Sequence, residues 1–311
     1  MNRTLIFLFA ALILGSGRAA AQLPYQFLHL NQSARAAGLG GAFTAMSNDV
    51  SAVFINPATL GTVEDQNLSV TFLKHVTDIN SGLATFVLPV ELDGKLAASA
   101  QFTSYGSFAR ADGSGRQTGT FGSSETALSA TYSNNLDSNL RWGATVKFVF
   151  ASLAEVSSFG AGVDAGIHYQ LPQSRTNIGF AILNIGGQLS TYNGTNETLP
   201  LDVRLGVNHR LRGLPLLVNF SFHHLGDETA DFFDKLANFS LGGELYLGKA
   251  VQLRVGYDNR VRGAVSVEAQ RGVSGFSAGV GIKTSFAMID YGGSSLGSAA
   301  MLHRFTVGMN L

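Results

Sequence analysis

One short stretch of the sequence has the spacing of a hydrolase nucleophile. GFSAG, residues 275–279, matches the pattern that holds a catalytic serine on a sharp turn between a strand and a helix. Here Ser277 falls inside a strand-like alternating segment, and no helical pattern follows it. We therefore interpret the match as a coincidence in a Gly/Ser-rich segment, and a lipid hydrolase is a weak hypothesis.

Two other stretches could bind a metal or a phosphate. His223 and His224 precede Asp227 and Glu228, but adjacent residues on a strand point to opposite faces, so the pair cannot chelate one ion without distortion. GIKTS, residues 281–285, lacks the Gly-Lys adjacency of a phosphate-binding loop. We expect no catalytic residue, no metal and no cofactor, and we look instead to how the elements are arranged.

The composition excludes several classes of protein. The chain has 311 residues, with 21 Lys+Arg against 21 Asp+Glu and a formal net charge of +0, so it offers no basic field for nucleic acid. It has no cysteine, which excludes a disulfide framework. Charged residues make up only 14%, whereas about a quarter is usual for soluble domains. The surface is therefore predicted to be unusually apolar.

The N-terminus has the features of a secretory signal peptide. A basic start is followed by an apolar run from Thr4 to Leu14, which is too short to span a bilayer as a helix, and the small residues Ala19 and Ala21 precede Gln22. We predict a signal peptide at residues 1–21 that is cleaved on export.

The mature chain shows a period of two along most of its length. Around residue 254, Leu253 and Val255 share an apolar face, while Gln252 and Arg254 share the other, and only a strand has this period. About fourteen such segments occur, an even number, and most have the length of a tilted strand that crosses a bilayer. They lie near residues 66–74, 79–90, 95–105, 122–132, 139–151, 158–170, 175–185, 200–211, 214–223, 237–247, 250–259, 273–283, 284–292 and 299–310.

The connections between these segments alternate in length. Short links such as Asp93-Gly94 separate longer ones at 108–121, 186–199, 226–237 and 259–272. Short turns at one end and long loops at the other are typical of an outer-membrane barrel and not of a soluble sandwich. We predict an all-β protein with a single transmembrane antiparallel barrel over residues 66–311, located in the cell outer membrane.

The polar faces of the strands then line the lumen of the barrel. The few charges on them are mixed in sign and surrounded by glycines, so they can pair across the interior. We favour a structural role over substrate binding for each of them: Lys147, Asp164, Arg204, Glu244, Arg254 and Arg304.

Residues 22–65 have no place in the barrel wall. This stretch is rich in glycine and alanine, which permit close backbone packing, and its Asn-Pro dipeptide imposes an extended or turn conformation on the residue before the proline. We predict that residues from about 33 to 60 fold back into the lumen as a hatch or plug. Its candidate structural and gating residues are Gly40, Gly41, Asp49, Asn56 and Pro57.

The same residues carry a resemblance to a known superfamily. SARAAGLGGAFTAMSNDVSAVFINPATLG, residues 33–61, is similar to the N-terminal hatch of the FadL-like outer-membrane barrels, and that resemblance implies fourteen strands. Residues 25–41, 105–132 and 289–309 resemble the PorV/PorQ family of type IX secretion system proteins within that superfamily, and are closest to PorQ.

The resemblance implies a non-enzymatic role in protein secretion and cell-surface attachment. PorQ-like proteins belong with PorU- and PorV-like proteins and are thought to hold a PorZ-like partner at the membrane, with outer-membrane lipid around the barrel. The alternative is a FadL-like transporter of hydrophobic small molecules with the hatch as its gate.

Overall fold

The protein is a closed antiparallel barrel in which each strand pairs with its sequence neighbours and the first pairs with the last. The computed structural model describes residues 25–310 apart from 31–32, 65, 76, 192–197, 228–231, 266–271 and 298–299. The fourteen strands are β1 (Leu68–Lys74), β2 (Asn80–Leu88), β3 (Lys95–Ala111), β4 (Gln117–Asn135), β5 (Leu140–Leu153), β6 (Val156–Leu171), β7 (Thr176–Ser190), β8 (Asp202–Arg210), β9 (Leu216–Phe222), β10 (Phe239–Leu247), β11 (Val251–Asp258), β12 (Phe276–Lys283), β13 (Ala287–Ser295) and β14 (Met301–Met309).

The described helices are short: α1 (Ala34–Gly38), α2 (Phe232–Leu236) and α3 (Asn259–Ala264), with 3₁₀ turns at Gln26–Leu30, Val50–Phe54, Pro57–Thr62 and Pro172–Ser174. None of the helices in these ranges has both the length and the apolar character needed to cross a membrane. The signal peptide predicted for residues 1–21 lies outside the described residues.

The two faces of the wall follow the alternation in the sequence. On β11 the side chains of Leu253 and Val255 are 43% and 66% exposed on the outside, while Gln252 and Arg254 are buried on the inside. Closure leaves no open edge, because β1 pairs with β14 along its whole length, from Leu68↔Met309 to Lys74↔His303. The predicted all-β, fourteen-strand barrel is confirmed.

The strands differ in length more than the sequence pattern indicates. Residues 108–121 were predicted to be a long loop, but β3 has 17 residues and β4 has 19, and only residues 112–116 connect them. At a tilt of about 40°, a 19-residue strand rises about 50 Å and a 9-residue strand about 25 Å. Since β8 to β14 have only 7 to 9 residues, one side of the barrel stands well above the other.

The other three predicted long loops are also partly regular. β7 continues to Ser190, into the predicted loop 186–199. At the same end of the barrel, β5 and β6 are joined by a link of two residues. The described parts of the predicted loops 226–237 and 259–272 contain α2 and α3, respectively. Both lie at the same end of the barrel as the link between β5 and β6, here called the outer end. The opposite end has short turns throughout and carries the end of the last strand, which is the periplasmic end in barrels of this kind.

Candidate functional site: the lumen segment and the inner wall

Residues 25–30 and 33–64, here called the lumen segment, lie inside the barrel. Most of the side chains between residues 33 and 62 are buried, and α1 packs against β11 to β14 while the 3₁₀ turn Pro57–Thr62 packs against β3 to β6. Ser33 caps α1, with Oγ accepting a hydrogen bond from the backbone N–H of Ala36 at 3.3 Å. The segment therefore contacts opposite sides of the wall.

The lumen segment approaches the wall so closely that glycines are required on both sides. Gly40 has φ +65° and Gly41 φ +83°, which side-chain-bearing residues rarely adopt, and a Cβ on Gly40 would lie 2.6 Å from the backbone N of Tyr257. On the wall, a Cβ on Gly143 or Gly166 would come within 3.0 Å of Pro57 or Asn56. The glycines on the inner face of the strands thus make room for the segment.

Asn56 fixes the segment to itself and to the wall. Its Oδ1 accepts a hydrogen bond from the backbone N–H of Ala58 at 3.1 Å, which caps the 3₁₀ turn that begins at Pro57. Its Nδ2 donates to the carbonyl of Thr44 in the segment at 3.0 Å and to that of Ile167 on β6 at 3.1 Å. Asn56 is fully buried, and its amide makes a contact in each direction that a shorter side chain cannot reach.

A buried ion-pair network, here called the charge latch, joins the lumen segment to β10, β11 and β13. Arg35 on α1 forms a two-pronged contact with Glu244, at 3.0 Å from Nε to Oε1 and 2.7 Å from Nη2 to Oε2. The same guanidinium lies 3.1 Å from Asp49 Oδ2, and Asp49 also caps the next 3₁₀ turn by accepting from the N–H of Ser51. A two-pronged contact fixes orientation as well as attraction.

The latch continues around the wall through Arg254. Its Nε donates to Glu244 Oε1 at 2.7 Å and its Nη1 to Asp290 Oδ1 at 2.5 Å. The side chains of Glu244 and Arg254 are 0% exposed, so these charges are stabilised by one another and not by water.

The other four predicted lumen charges are all buried on the inner face, and three of them form ion pairs. Lys147 Nζ lies 2.8 Å from Asp164 Oδ2 across β5 and β6. Arg204 pairs with Asp202 at 2.6 Å. Arg304 donates to Ser294 Oγ at 2.9 Å, and among the described residues it forms no ion pair, unlike the pairing predicted for these charges.

Two cavities lie on either side of the lumen segment. The larger, of about 910 Å³, is at the periplasmic end and has a mixed lining, with charged groups such as Arg35 and Glu244 beside apolar ones such as Leu217 and Phe286. The smaller, of about 180 Å³, is at the outer end and is lined by groups that include His224 and Arg304. Residues of the segment line both cavities, so the segment lies between them.

The stretches that could do chemistry take structural positions. Ser277 lies within β12, and its Oγ donates to the backbone carbonyl of Gly38 in the lumen segment at 3.4 Å. Lys283 ends β12, which also contains Gly281 and Ile282 of the GIKTS stretch, while Thr284 and Ser285 lie in the turn to β13. His223 and His224 follow β9 at the outer end of the barrel, where both are buried.

Comparison with solved structures identifies the fold. No family model and no curated protein sequence matches the chain. Among solved structures, a FadL homologue of Pseudomonas aeruginosa is 12% identical, with 89% of this chain and 97% of that chain covered at a TM-score of 0.55. The fold is that of the FadL-like outer-membrane barrels.

Two further structures agree with this FadL-like fold. The toluene transporter TodX of Pseudomonas putida is 14% identical, with 90% of this chain and 99% of that chain covered at a TM-score of 0.57. The monoaromatic hydrocarbon channel CymD is 13% identical, with 90% and 96% covered at 0.55. The fold implies that the protein lies in an outer membrane.

Three residues of the inner wall and segment were missed by sequence reasoning. Arg35, Asp202 and Asp290 complete the ion pairs of the predicted lumen charges. Asp202 and Asp290 stand on the polar phase of their strands, so the alternation alone would have placed them in the lumen. Arg35 had no such signal, because α1 has only five residues.

Proposed function

We propose that this FadL-like barrel is a non-enzymatic outer-membrane component of a type IX protein secretion and cell-surface attachment system. It would serve as a PorQ-like platform that holds a PorZ-like surface partner, together with PorU- and PorV-like proteins. The sequence resemblance of residues 25–41, 105–132 and 289–309 motivates the assignment. The observation that supports the platform role is that the lumen segment occupies the interior of the barrel. The charge latch and the close contacts at the wall glycines hold it there.

The tall side of the barrel supplies a surface for such a partner. We call residues 105–124 and 150–159 the outer hairpins. Phe108 is 43% exposed and stacks on Phe121, with ring centroids 5.4 Å apart. Arg110 lies over the same Phe121 ring and pairs with Glu155 at 2.5 Å, which links the two hairpins and holds the pKa of the Glu155 carboxyl below its usual range. Exposed aromatic and arginine side chains are common anchors of protein interfaces.

A non-enzymatic role agrees with the positions of the candidate residues. Ser277 donates its hydroxyl hydrogen to a backbone carbonyl inside a strand, where a nucleophile would need a base beside it. The three solved structures of similar fold bear names of transporters, channels or a homologue of one.

The second candidate is a FadL-like transporter of hydrophobic small molecules. The names of TodX and CymD favour it, and so does a lumen segment that a transporter could use as a gate. A hydrophobic substrate needs an apolar path, however, and the apolar side chains that line the two cavities are interrupted by charged groups such as Arg35, Glu244 and Arg304. We therefore rank the platform first.

A native pull-down decides between the two candidates. The protein is purified from its own outer membrane in mild detergent, and partners are identified by mass spectrometry. The platform predicts that a large surface protein co-purifies, that Phe108→Ser weakens the complex, and that Leu136→Ser, on an exposed periplasmic turn, does not. Recovery of the barrel with lipid alone, together with uptake of a hydrophobic substrate that changes in Asn56→Ala, would favour transport.

A further inference from the structure

A cluster of two histidines and one aspartate lies where the lumen segment meets the outer end of the wall. His29 comes from the first 3₁₀ turn of the segment, Asp202 begins β8, and His224 follows β9. One ligand atom of each residue lies within 4.8 Å of one ligand atom of each of the others. Asp202 and His224 are neighbours through the pairing of β8 with β9, and His29 reaches them because the lumen segment lies inside the closed barrel.

Two of the three side chains are prepared to act as metal ligands. His29 Nε2 lies 3.0 Å from the carbonyl oxygen of Pro200, and since a carbonyl only accepts, Nε2 carries the hydrogen and the lone pair is on Nδ1. Histidine ligands of metals typically donate their other N–H to a carbonyl or carboxylate in this way.

His224 has a buried ring nitrogen without a hydrogen bond among the described residues. It is 5% exposed, and its Nδ1 has no hydrogen-bond partner among the described residues, which is unfavourable for a buried polar atom. Nδ1 lies 3.5 Å from Asp227 Oδ1. Two donors bound to one tetrahedral zinc ion at about 2.0 to 2.1 Å are separated by roughly 3.4 Å, so Asp227 stands at the right distance for a further ligand.

Asp202 is oriented by its surroundings. Its Oδ1 accepts from the backbone N–H of His224 at 2.6 Å, and its Oδ2 pairs with Arg204 at 2.6 Å. A carboxylate has about four lone-pair sites, so each oxygen retains acceptor capacity. The two imidazole nitrogens favour a transition-metal ion over calcium or magnesium, which require oxygen ligands.

We propose that His29, Asp202 and His224 form a zinc site that pins the start of the lumen segment to β8 and to the connection after β9. The adjacent pair His223 and His224 does not share the ion, since His223 Nε2 lies 3.1 Å from Ser240 Oγ. His224 has φ +54°, which breaks the strand alternation and turns its ring toward His29, with ring centroids 4.3 Å apart. His29 and His224 line the outer cavity of about 180 Å³, and Asp227 or water would supply the fourth ligand.

Calorimetric titration of the full mature protein with Zn²⁺ tests the site. The protein is purified in detergent, stripped with EDTA and titrated beside His29→Ala, His224→Ala and the control His209→Ala. The control removes a histidine from the other end of β8 that is hydrogen-bonded to Thr176. We expect one ion per chain in the wild type and in His209→Ala, and at least a tenfold loss of affinity in the other two variants.

Two results would overturn the proposal: a wild type that binds no zinc, or His29→Ala and His224→Ala proteins that bind it as well as the control does. Heat-modifiable gel migration verifies that each variant is folded. Should either variant fail to fold, the visible absorption spectrum of Co²⁺ on the wild type decides, because a tetrahedral site with nitrogen ligands gives intense bands and a site on surface carboxylates gives weak ones.

Discussion

Replacing Arg35 by alanine should loosen the lumen segment more than any exposed charge change of the same kind. Arg35 is 13% exposed in its side chain and contacts both Asp49 and Glu244, whose side chain is 0% exposed. Without Arg35, Arg254 is the only cation of the charge latch, beside the carboxylates of Asp49, Glu244 and Asp290. Removing one partner of a buried pair costs about 3 to 5 kcal/mol, and since Arg254 still contacts Glu244 we expect the lower value, about 3 kcal/mol.

The assay is urea unfolding in detergent micelles, followed by the fluorescence of Trp142, the single tryptophan of the chain. The matched control is Arg110→Ala, since the Arg110–Glu155 pair is 43% and 74% exposed in its side chains and exposed pairs contribute about 0 to 1 kcal/mol. A destabilisation of about 3 kcal/mol corresponds to about a hundredfold in the equilibrium constant.

The double variant Arg35→Ala, Glu244→Gln sharpens the test. Because it also removes the carboxylate left without its partner, its cost should be less than the sum of the two single costs. Equal effects of Arg35→Ala and Arg110→Ala, or strictly additive costs in the double variant, would show that the latch does not hold the segment.

Two further predictions concern the wall. Val255→Arg, on the outer face, should lower barrel stability by about 2 to 4 kcal/mol because it places a charge against lipid, while Gln252→Arg, on the inner face, should cost less; equal folding yields would contradict the face assignment. Gly166→Val should prevent the lumen segment from seating, because a Cβ there meets Asn56, and should make the segment accessible to protease; Gly243→Val, whose Cβ meets only Val255 and Leu216 at 3.6 Å and 3.8 Å, should not. Protease resistance equal to that of the wild type in Gly166→Val would contradict the close approach.

The sequence predicts the number of strands in the barrel wall better than it predicts how far they extend above the bilayer. Where one face of a strand meets lipid and the other the lumen, alternation is strong, and all fourteen strands followed from it. Above the bilayer both faces of β3 and β4 meet water, so residues such as Arg110 and Gly119 show no alternation and were taken as loop. In this part, β3 and β4 pair because they continue the strand pairing that begins inside the bilayer.

The contacts inside the barrel were the least predictable. Arg35 and Glu244 are 209 residues apart, and His29 and His224 are brought together only by closure of the barrel around the segment. Alternation assigns a residue to a face but not to a partner across the lumen. The strand rule does not apply to His223 and His224, because both follow the end of β9, His224 has φ +54° and both side chains are buried. Nor could alternation indicate that His224 faces a histidine from the N-terminal segment.

Conductance in a planar bilayer tests most directly whether the lumen segment closes the barrel. The full-length protein should conduct little, because Asn56, the charge latch and the wall glycines fix the segment across the lumen. A variant that lacks residues 33–60 should still insert and migrate as a heat-modifiable barrel, and it should conduct ions steadily. If that variant inserts but remains as non-conducting as the full-length protein, something other than the segment closes the lumen and the central claim is wrong.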